Sequence, residues 1–176
     1  MTRPTIAPTG VERTFDPSEI IVSKTDLTGV ITYANDVFCR VAGYKEHELL
    51  GQQHNIIRHP DMPRSIFKFL WDTIQAGEEI FAYVINQAKN GDHYWVFAHV
   101  TPSFNSKGEI ISYHSMRRVP EKGPRDIVAG LYKQLLEVEA SHESPKEGMD
   151  AALNTIVDLL QDHRMEYNQF IFSLSE

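Results

Sequence analysis

The sequence predicts an α+β fold, an antiparallel sheet with helices on one face, followed by a wholly helical extension. Three observations predict it. Two short apolar runs open the ordered region and lead into short helical segments. Three longer β-like runs, separated by turn signals, follow one amphipathic helix. After the breaker cluster Pro120-Glu121-Lys122-Gly123-Pro124 the hydrophobic period becomes that of helix alone. A length of 176 residues suits one main domain with an appendage. The expected division is a flexible arm over 1–17, the α+β domain over 18–120 and the helical extension over 121–176.

The elements follow in order. Residues 1–15 carry Pro, Thr and Gly without a period and read as a loose arm. Ile20-Ile21-Val22 and Val30-Ile31-Thr32-Tyr33 flank the turn Asp26-Leu27-Thr28-Gly29, a hairpin signal. Val37, Phe38 and Val41 have helical spacing and Gly43 stops that helix; His47-Glu48-Leu49-Leu50-Gly51 is a further helical turn. The stretch from His54 to Pro63 contains two prolines and no period, so it reads as an ordered loop. Ile66, Phe67, Leu70, Trp71 and Ile74 then form one apolar helix face, closed by Gly77. Ile80 to Ala88 and His93 to Phe104 are strands around Asn90-Gly91, and Ile110 to Val119 is a third.

In the extension, Ile127, Leu131, Leu135 and Val138 share a helical face. Ser144-Pro145-Lys146-Glu147 is a capping box that opens a second helix, which carries Met149, Ala152, Leu153, Ile156, Leu159 and Leu160. The short connection between the two favours an antiparallel helical hairpin. Tyr167, Phe170, Ile171 and Leu174 add more apolar surface than a hairpin covers. The expectation is therefore a homodimer or a docking face for a partner.

Composition removes several function classes. Seventeen Lys+Arg against 24 Asp+Glu give −7, and the only basic cluster is Arg117-Arg118, so nucleic acid is not the expected partner. No run approaches the ~20 apolar residues that span a bilayer. No signal segment opens the chain, so a cytoplasmic protein without membrane insertion is expected. A single cysteine, Cys39, excludes an intramolecular disulfide and a multi-cysteine metal site.

Catalysis finds no strong pattern. Ser65, His59 and Asp61 hold the residue types of a triad without a Gly-x-Ser-x-Gly elbow. His54 and His59 lie five apart across a loop rather than at ligand spacing on a helix, and there is no Gly-rich phosphate loop. No enzymatic activity and no metal are expected.

What remains is a binding pocket. Arg58-His59-Pro60-Asp61 puts a cation, an imidazole and a carboxylate just before the helix bearing Phe67 and Trp71. The opposite wall is expected from Asn86 with Tyr94, Trp95 and Phe97 on the strands. Apolar walls with a few polar groups suit a flat ligand. Each position also has a plainer role. Asp61 can cap the helix by accepting from the Arg64 amide, and Phe67 and Trp71 can be core. Arg58 needs an anion, either Asp61 or a ligand phosphate.

These residues resemble the PAS sensor family. Tyr33-Ala34-Asn35-Asp36, Gly43-Tyr44, Glu48-Leu49-Leu50-Gly51 and Lys89-Asn90-Gly91-Asp92 are its landmarks in order. More narrowly, Asn55-Ile56-Ile57-Arg58-His59-Pro60-Asp61-Met62-Pro63 and Asn90-Gly91-Asp92-His93-Tyr94-Trp95-Val96 look like the flavin-binding PAS domain of bacterial aerotaxis transducers. The likeness covers about residues 18–120 and implies the PAS fold with a five-stranded antiparallel sheet. It implies FAD bound non-covalently and a reading of redox state or oxygen. By position it carries over Asn35, Arg58, His59, Asp61, Phe67, Trp71 and Asn86, to which the pocket reading adds Trp95. The sequence departs from the family at Ile80, where Trp is common, and at Gln87-Ala88, where an Arg-Arg pair is common. The cysteine motif of flavin photoreceptors is missing, so covalent light chemistry is not expected.

The transducers of that family continue into a membrane anchor and a coiled coil. This chain is expected instead to stand alone and relay its signal to a downstream protein of chemotaxis or kinase type. Two other readings stay open: a cofactor-free PAS docking module, and a haem-binding PAS domain with His59, His93, His99 or His114 as ligand.

Overall fold

The computed structural model describes residues 6–175. It contains five strands, β1 (Ile21–Thr25), β2 (Ile31–Ala34), β3 (Ile80–Gln87), β4 (His93–Phe104) and β5 (Ile110–Arg118). The helices are α1 (Asp36–Ala42), α2 (Glu46–Leu49), α3 (Arg64–Gln75), α4 (Lys122–Ala140), α5 (Pro145–His163) and α6 (Tyr167–Ser173), with a 3-10 turn over His54–Ile57. All strand pairings are antiparallel and the order is β2-β1-β5-β4-β3. The last strand in sequence thus lies between the first and the fourth.

Local chemistry accounts for most boundaries. Asn35 opens α1, its Oδ1 accepting from the Phe38 amide at 3.0 Å. Gly43 closes that helix in the left-handed region at φ 73°, where a side chain would be strained. Ser144 caps α5, with Pro145 at its first turn.

The chain forms two compact units. The first comprises residues up to His59 with Thr73–Pro120, and the second Pro60–Asp72 with residues from Glu121 onward.

In the first unit, strand alternation sorts the sheet into two faces. Tyr94, Val96, Ala98 and Val100 of β4 stand opposite Asn86, Val84, Ala82 and Ile80 of β3, and these eight side chains are buried. Ala98 pairs Arg117 of β5, which pairs Ile21 of β1. Phe38 of α1 covers this inner face. The outer face carries His93, Trp95, Phe97 and His99. The loose arm expected over 1–17 is tied down where it is described, and residues 1–5 lie outside the described residues. Thr9 and Arg13 donate to the Gly91 and His93 carbonyls at 2.9 and 2.7 Å, and Arg13 pairs Asp92 at 2.9 Å. Gly91 admits this approach: a Cβ there would stand 2.5 Å from the Ala7 carbonyl oxygen.

In the second unit, α4 and α5 form a hairpin whose core includes Val128, Tyr132, Leu135, Ala152 and Ile156, joined by Tyr167, Phe170 and Ile171 of α6. The stripe expected on α4 is rotated, because Val128 and Tyr132 face inward while Ile127 is exposed. The Arg64 and Ser65 amides at the start of α3 donate to the Glu139 carboxylate at 3.2 and 2.8 Å, and the Ser65 hydroxyl does so at 2.9 Å. The carboxylate that accepts from the Arg64 amide is thus that of Glu139, where the sequence predicts Asp61. Asp61 stands further back, since Pro63 directly precedes the helix.

Among the described residues, no helix is long and apolar enough to cross a membrane.

Candidate functional site

The strongest concentration of unusual chemistry is the inner sheet face of the first unit. Arg117, near the end of β5, is buried, and its guanidinium carbon lies 4.5 Å from the centre of the Phe38 ring. This is a cation stacked on an aromatic face. Its Nη2 donates to the Ser23 hydroxyl, whose oxygen lies 3.2 Å from Nε2 of His54. The His54 ring stacks on Phe38 with centroids 6.0 Å apart.

No carboxylate pairs with Arg117 among the described residues, and its Nε and Nη1 have no hydrogen-bond partner there. The same holds for Nδ2 of Asn86 and the hydroxyl of Tyr94, two residues directly opposed across β3 and β4. Buried polar groups in native proteins are normally satisfied, so such a group needs an explanation. These four atoms all carry hydrogens to donate.

The electrostatics follow from one buried cation. Burial pulls the Arg117 guanidinium down to about 10, with Tyr94 acting in the opposite direction. Burial, and then the Arg117 charge, push His54 down to about 3, so it is neutral. With Ser23 accepting from Arg117, the Ser23 hydroxyl proton is free to go to His54 Nε2. That leaves the His54 proton on Nδ1. Burial raises the Tyr94 phenol, the nearby Arg117 charge partly offsetting it.

The sequence-selected residues fall into three groups. Arg58 pairs with Asn86 in an isolated antiparallel bridge on the free edge of β3, which brings these two together. His59 is buried, and its ring meets that of His93 at 5.6 Å. His93 and Trp95 share the outer face, because β4 presents alternate residues to opposite sides. Trp95 and Phe97 therefore cannot form a wall with Asn86; Tyr94 is the aromatic that does. Asn35 is committed to structure: its Oδ1 also accepts from the Val22 amide at 3.0 Å, and its Nδ2 donates to the Ile20 carbonyl at 2.8 Å. The third group, Asp61, Phe67 and Trp71, belongs to the second unit. Asp61 is exposed there, and the two aromatics are half-buried.

The Cys39 thiol on α1 is pushed up by burial and by the Glu46 and Asp36 charges, the reverse of what activates a nucleophile. Among the described residues no group of three His, Cys, Asp or Glu could hold a metal.

Sequence reasoning missed Arg117 as a site residue. The signal was present: Tyr113, Ser115 and Arg117 share one parity on β5, so the strand carries a cation to its inward face. The alternation Tyr94, Val96, Ala98, Val100 against His93, Trp95, Phe97, His99 likewise separates Tyr94 from Trp95 without coordinates.

Comparison with known proteins bears on the fold. Residues 31–117 match the family described as PAS fold. Over 115 residues, 65% of this chain, the sequence is 45% identical to the aerotaxis receptor of Escherichia coli strain K12. Over 103 residues, 58% of this chain, it is 35% identical to the nitrogen fixation regulatory protein of Klebsiella pneumoniae. These matches span 22% and 21% of the lengths of those two proteins. Among solved structures, the light-state LOV domain of the blue-light photoreceptor Aureochrome1 superposes with a TM-score of 0.56 at 20% identity. That superposition covers 67% of this chain and 91% of that one. A Light-Oxygen-Voltage domain studied with a flavin analogue superposes with the same score of 0.56 at 16% identity, covering 65% of this chain and 86% of that one. At such identities the structural likeness shows the fold alone.

Proposed function

We propose that this chain, a member of the PAS family through residues 31–117, is a cytoplasmic redox or oxygen sensor that binds FAD non-covalently. It signals through protein–protein contacts, in aerotaxis or a related pathway. The observation that carries the reading is the buried, unpartnered, donor-rich set of Asn86 Nδ2, Tyr94 Oη and Arg117 Nε and Nη1 on the inner sheet face. Such a set fits a flat ligand with acceptors along one edge. The isoalloxazine ring, with two carbonyls and imine nitrogens, has that edge. The 45% identity to an aerotaxis receptor supports the same assignment.

When bound, the flavin supplies a reversible two-electron couple. The residues of this chain bind and orient it. Asn86, Tyr94 and Arg117 donate hydrogen bonds, while Val84, Val96 and Ala98 supply apolar surface. Arg58, bridged to Asn86, is the cation for the phosphates. An amide such as Asn86 can exchange its donor for its acceptor by rotation, so it reads a change in the ligand's hydrogen bonding. β5 carries Arg117 and ends at Arg118, and α4 starts at Lys122, so a shift at the site has a short covalent path to the helical extension. The proposed site is built without Asp61, Phe67 and Trp71.

The output partner is a second copy of the chain or a downstream signalling protein. The exposed apolar side chains Ile127, Val157 and Phe172 of the extension support such a contact.

Purification of the full chain tests the cofactor. Yellow protein that releases FAD on denaturation is expected. Red protein would support haem, and colourless protein without nucleotide would support a docking module. Arg58→Ala is expected to lose most of the flavin while its circular dichroism is unchanged. Stoichiometric flavin in that variant removes Arg58 from the site.

A further inference from the structure

We propose that Arg117 is the residue that selects the negatively charged form of the bound flavin ring and so raises its midpoint potential. The inference rests on the flavin reading above and adds to it a role for one residue. Arg117 is a permanent cation that is almost fully removed from water, with 2% of its surface exposed. One nitrogen, Nη2, donates to Ser23, and the others find no acceptor among the described residues. Taking an ion out of water costs several kcal/mol unless a partner answers it. Ser23 and the Phe38 ring are neutral, His54 is held neutral, and Tyr94 keeps its proton. Among the described residues, the positive charge therefore has no counter-charge in its surroundings. The partner that completes it is an acceptor-rich, negatively polarised ligand edge.

A two-electron reductant such as dithionite delivers two electrons to the ring, which takes one proton and retains one negative charge. A second proton from solvent would neutralise it. A fixed cation favours the form with one proton. Stabilising the reduced state over the oxidised one makes the potential more positive, so removing the charge makes it more negative.

The site is arranged so that this cation is not diluted by its neighbours. The titratable groups around it are His54 on the 3-10 turn and Tyr94 on β4. The first titrates near 3 and the second is raised, so neither changes charge between pH 5 and 9. Arg13 adds a further positive influence on Tyr94. No acidic side chain is among the influences resolved on Arg117.

The test uses the full chain. Potentiometric titration of Arg117→Gln is expected to give a midpoint lower by about 30 mV, a tenfold loss in relative affinity for the reduced ring. Arg117→Lys keeps the charge and is expected to recover most of that shift, which a merely structural role would not predict. An unchanged midpoint in flavin-loaded Arg117→Gln overturns the proposal and leaves the flavin reading standing. Absence of flavin from the unaltered protein overturns both. Should Arg117→Gln not fold, the unaltered protein decides by absorbance. Its reduced flavin is expected to take the second proton at least about one pH unit below free reduced flavin, the same tenfold effect. Protonation at the free value overturns the proposal.

Discussion

The inner sheet face of the first unit buries Arg117, Asn86 and Tyr94 among Val84, Val96 and Ala98, and leaves several of their donors unmet. The second unit buries Val128, Leu135, Ile156 and Ile171. Its buried Ser65, with the first amides of α3, is answered by one carboxylate from Glu139. Among the described residues, no unpartnered buried side-chain atom belongs to the second unit. A core that serves only folding has no reason to bury unmet donors, because each costs about 1–3 kcal/mol. Under the proposed function, a face that keeps them gives up stability for a ligand that supplies the acceptors. The first unit's interior suits the proposed receptor role, and the second's suits a scaffold.

The sharpest test of that contrast pairs two substitutions. Leu135→Ala, in the apolar core, is expected to cost about 2–5 kcal/mol, read as lost hydrogen-exchange protection in α4 and α5. Arg117→Met in flavin-free protein is expected to be neutral or to stabilise by up to about 4 kcal/mol, since an unpaired buried ion is replaced by apolar volume. If Arg117→Met proves as damaging as Leu135→Ala without flavin, the donors of the first unit are met by the protein itself and the contrast fails.

A pH series gives the next largest effect. The folded value of His54 lies near 3, below the unfolded 6.5, so acid favours the unfolded chain, which binds the proton more readily. This stability is complete above about pH 6.5 and falls by at most about 1.4 kcal/mol per pH unit from there towards pH 3. His54→Gln should flatten that part of the curve in urea unfolding monitored on the sheet. An unaltered slope would show that His54 is not held neutral by burial and Arg117.

The smallest effect concerns the Glu139 carboxylate of the second unit. Glu139→Ala removes the acceptor for the Arg64 and Ser65 amides and is expected to cost about 1–2 kcal/mol, as loss of a helix cap does. Exchange should quicken first at the start of α3. If protection there is unchanged, another acceptor takes the carboxylate's place.

How much of this was legible depends on the distance over which each signal acts. The strands, the helices and the hairpin of the extension follow from period and from caps such as Gly43, Asn90-Gly91 and Ser144, which act within a few residues. Arg58 and Asn86 are ligand residues only as the family motif implies; what the structure adds is an isolated backbone bridge between them. Trp95 was assigned to the wrong wall although the alternation of β4 was in plain view. Asn35 carries a family motif but spends its amide on Val22, Phe38 and Ile20. The exposure of Ile127 was not legible, because a helix with apolar residues on adjacent lines does not say which line meets its neighbour.

The sequence by itself determined the α+β class, the antiparallel hairpins, the helical extension and the PAS family, because these rest on local period, turn chemistry and motif. Only the tertiary structure decided that β5 lies between β1 and β4, and with that placement it put Arg117 beside Phe38, Ser23 and His54. It also decided that Glu139, 75 residues from Arg64, caps α3. Both depend on contacts between residues far apart in the chain. Their reward comes from burial and hydrogen bonding in the assembled fold, and no local pattern encodes which distant partner supplies it.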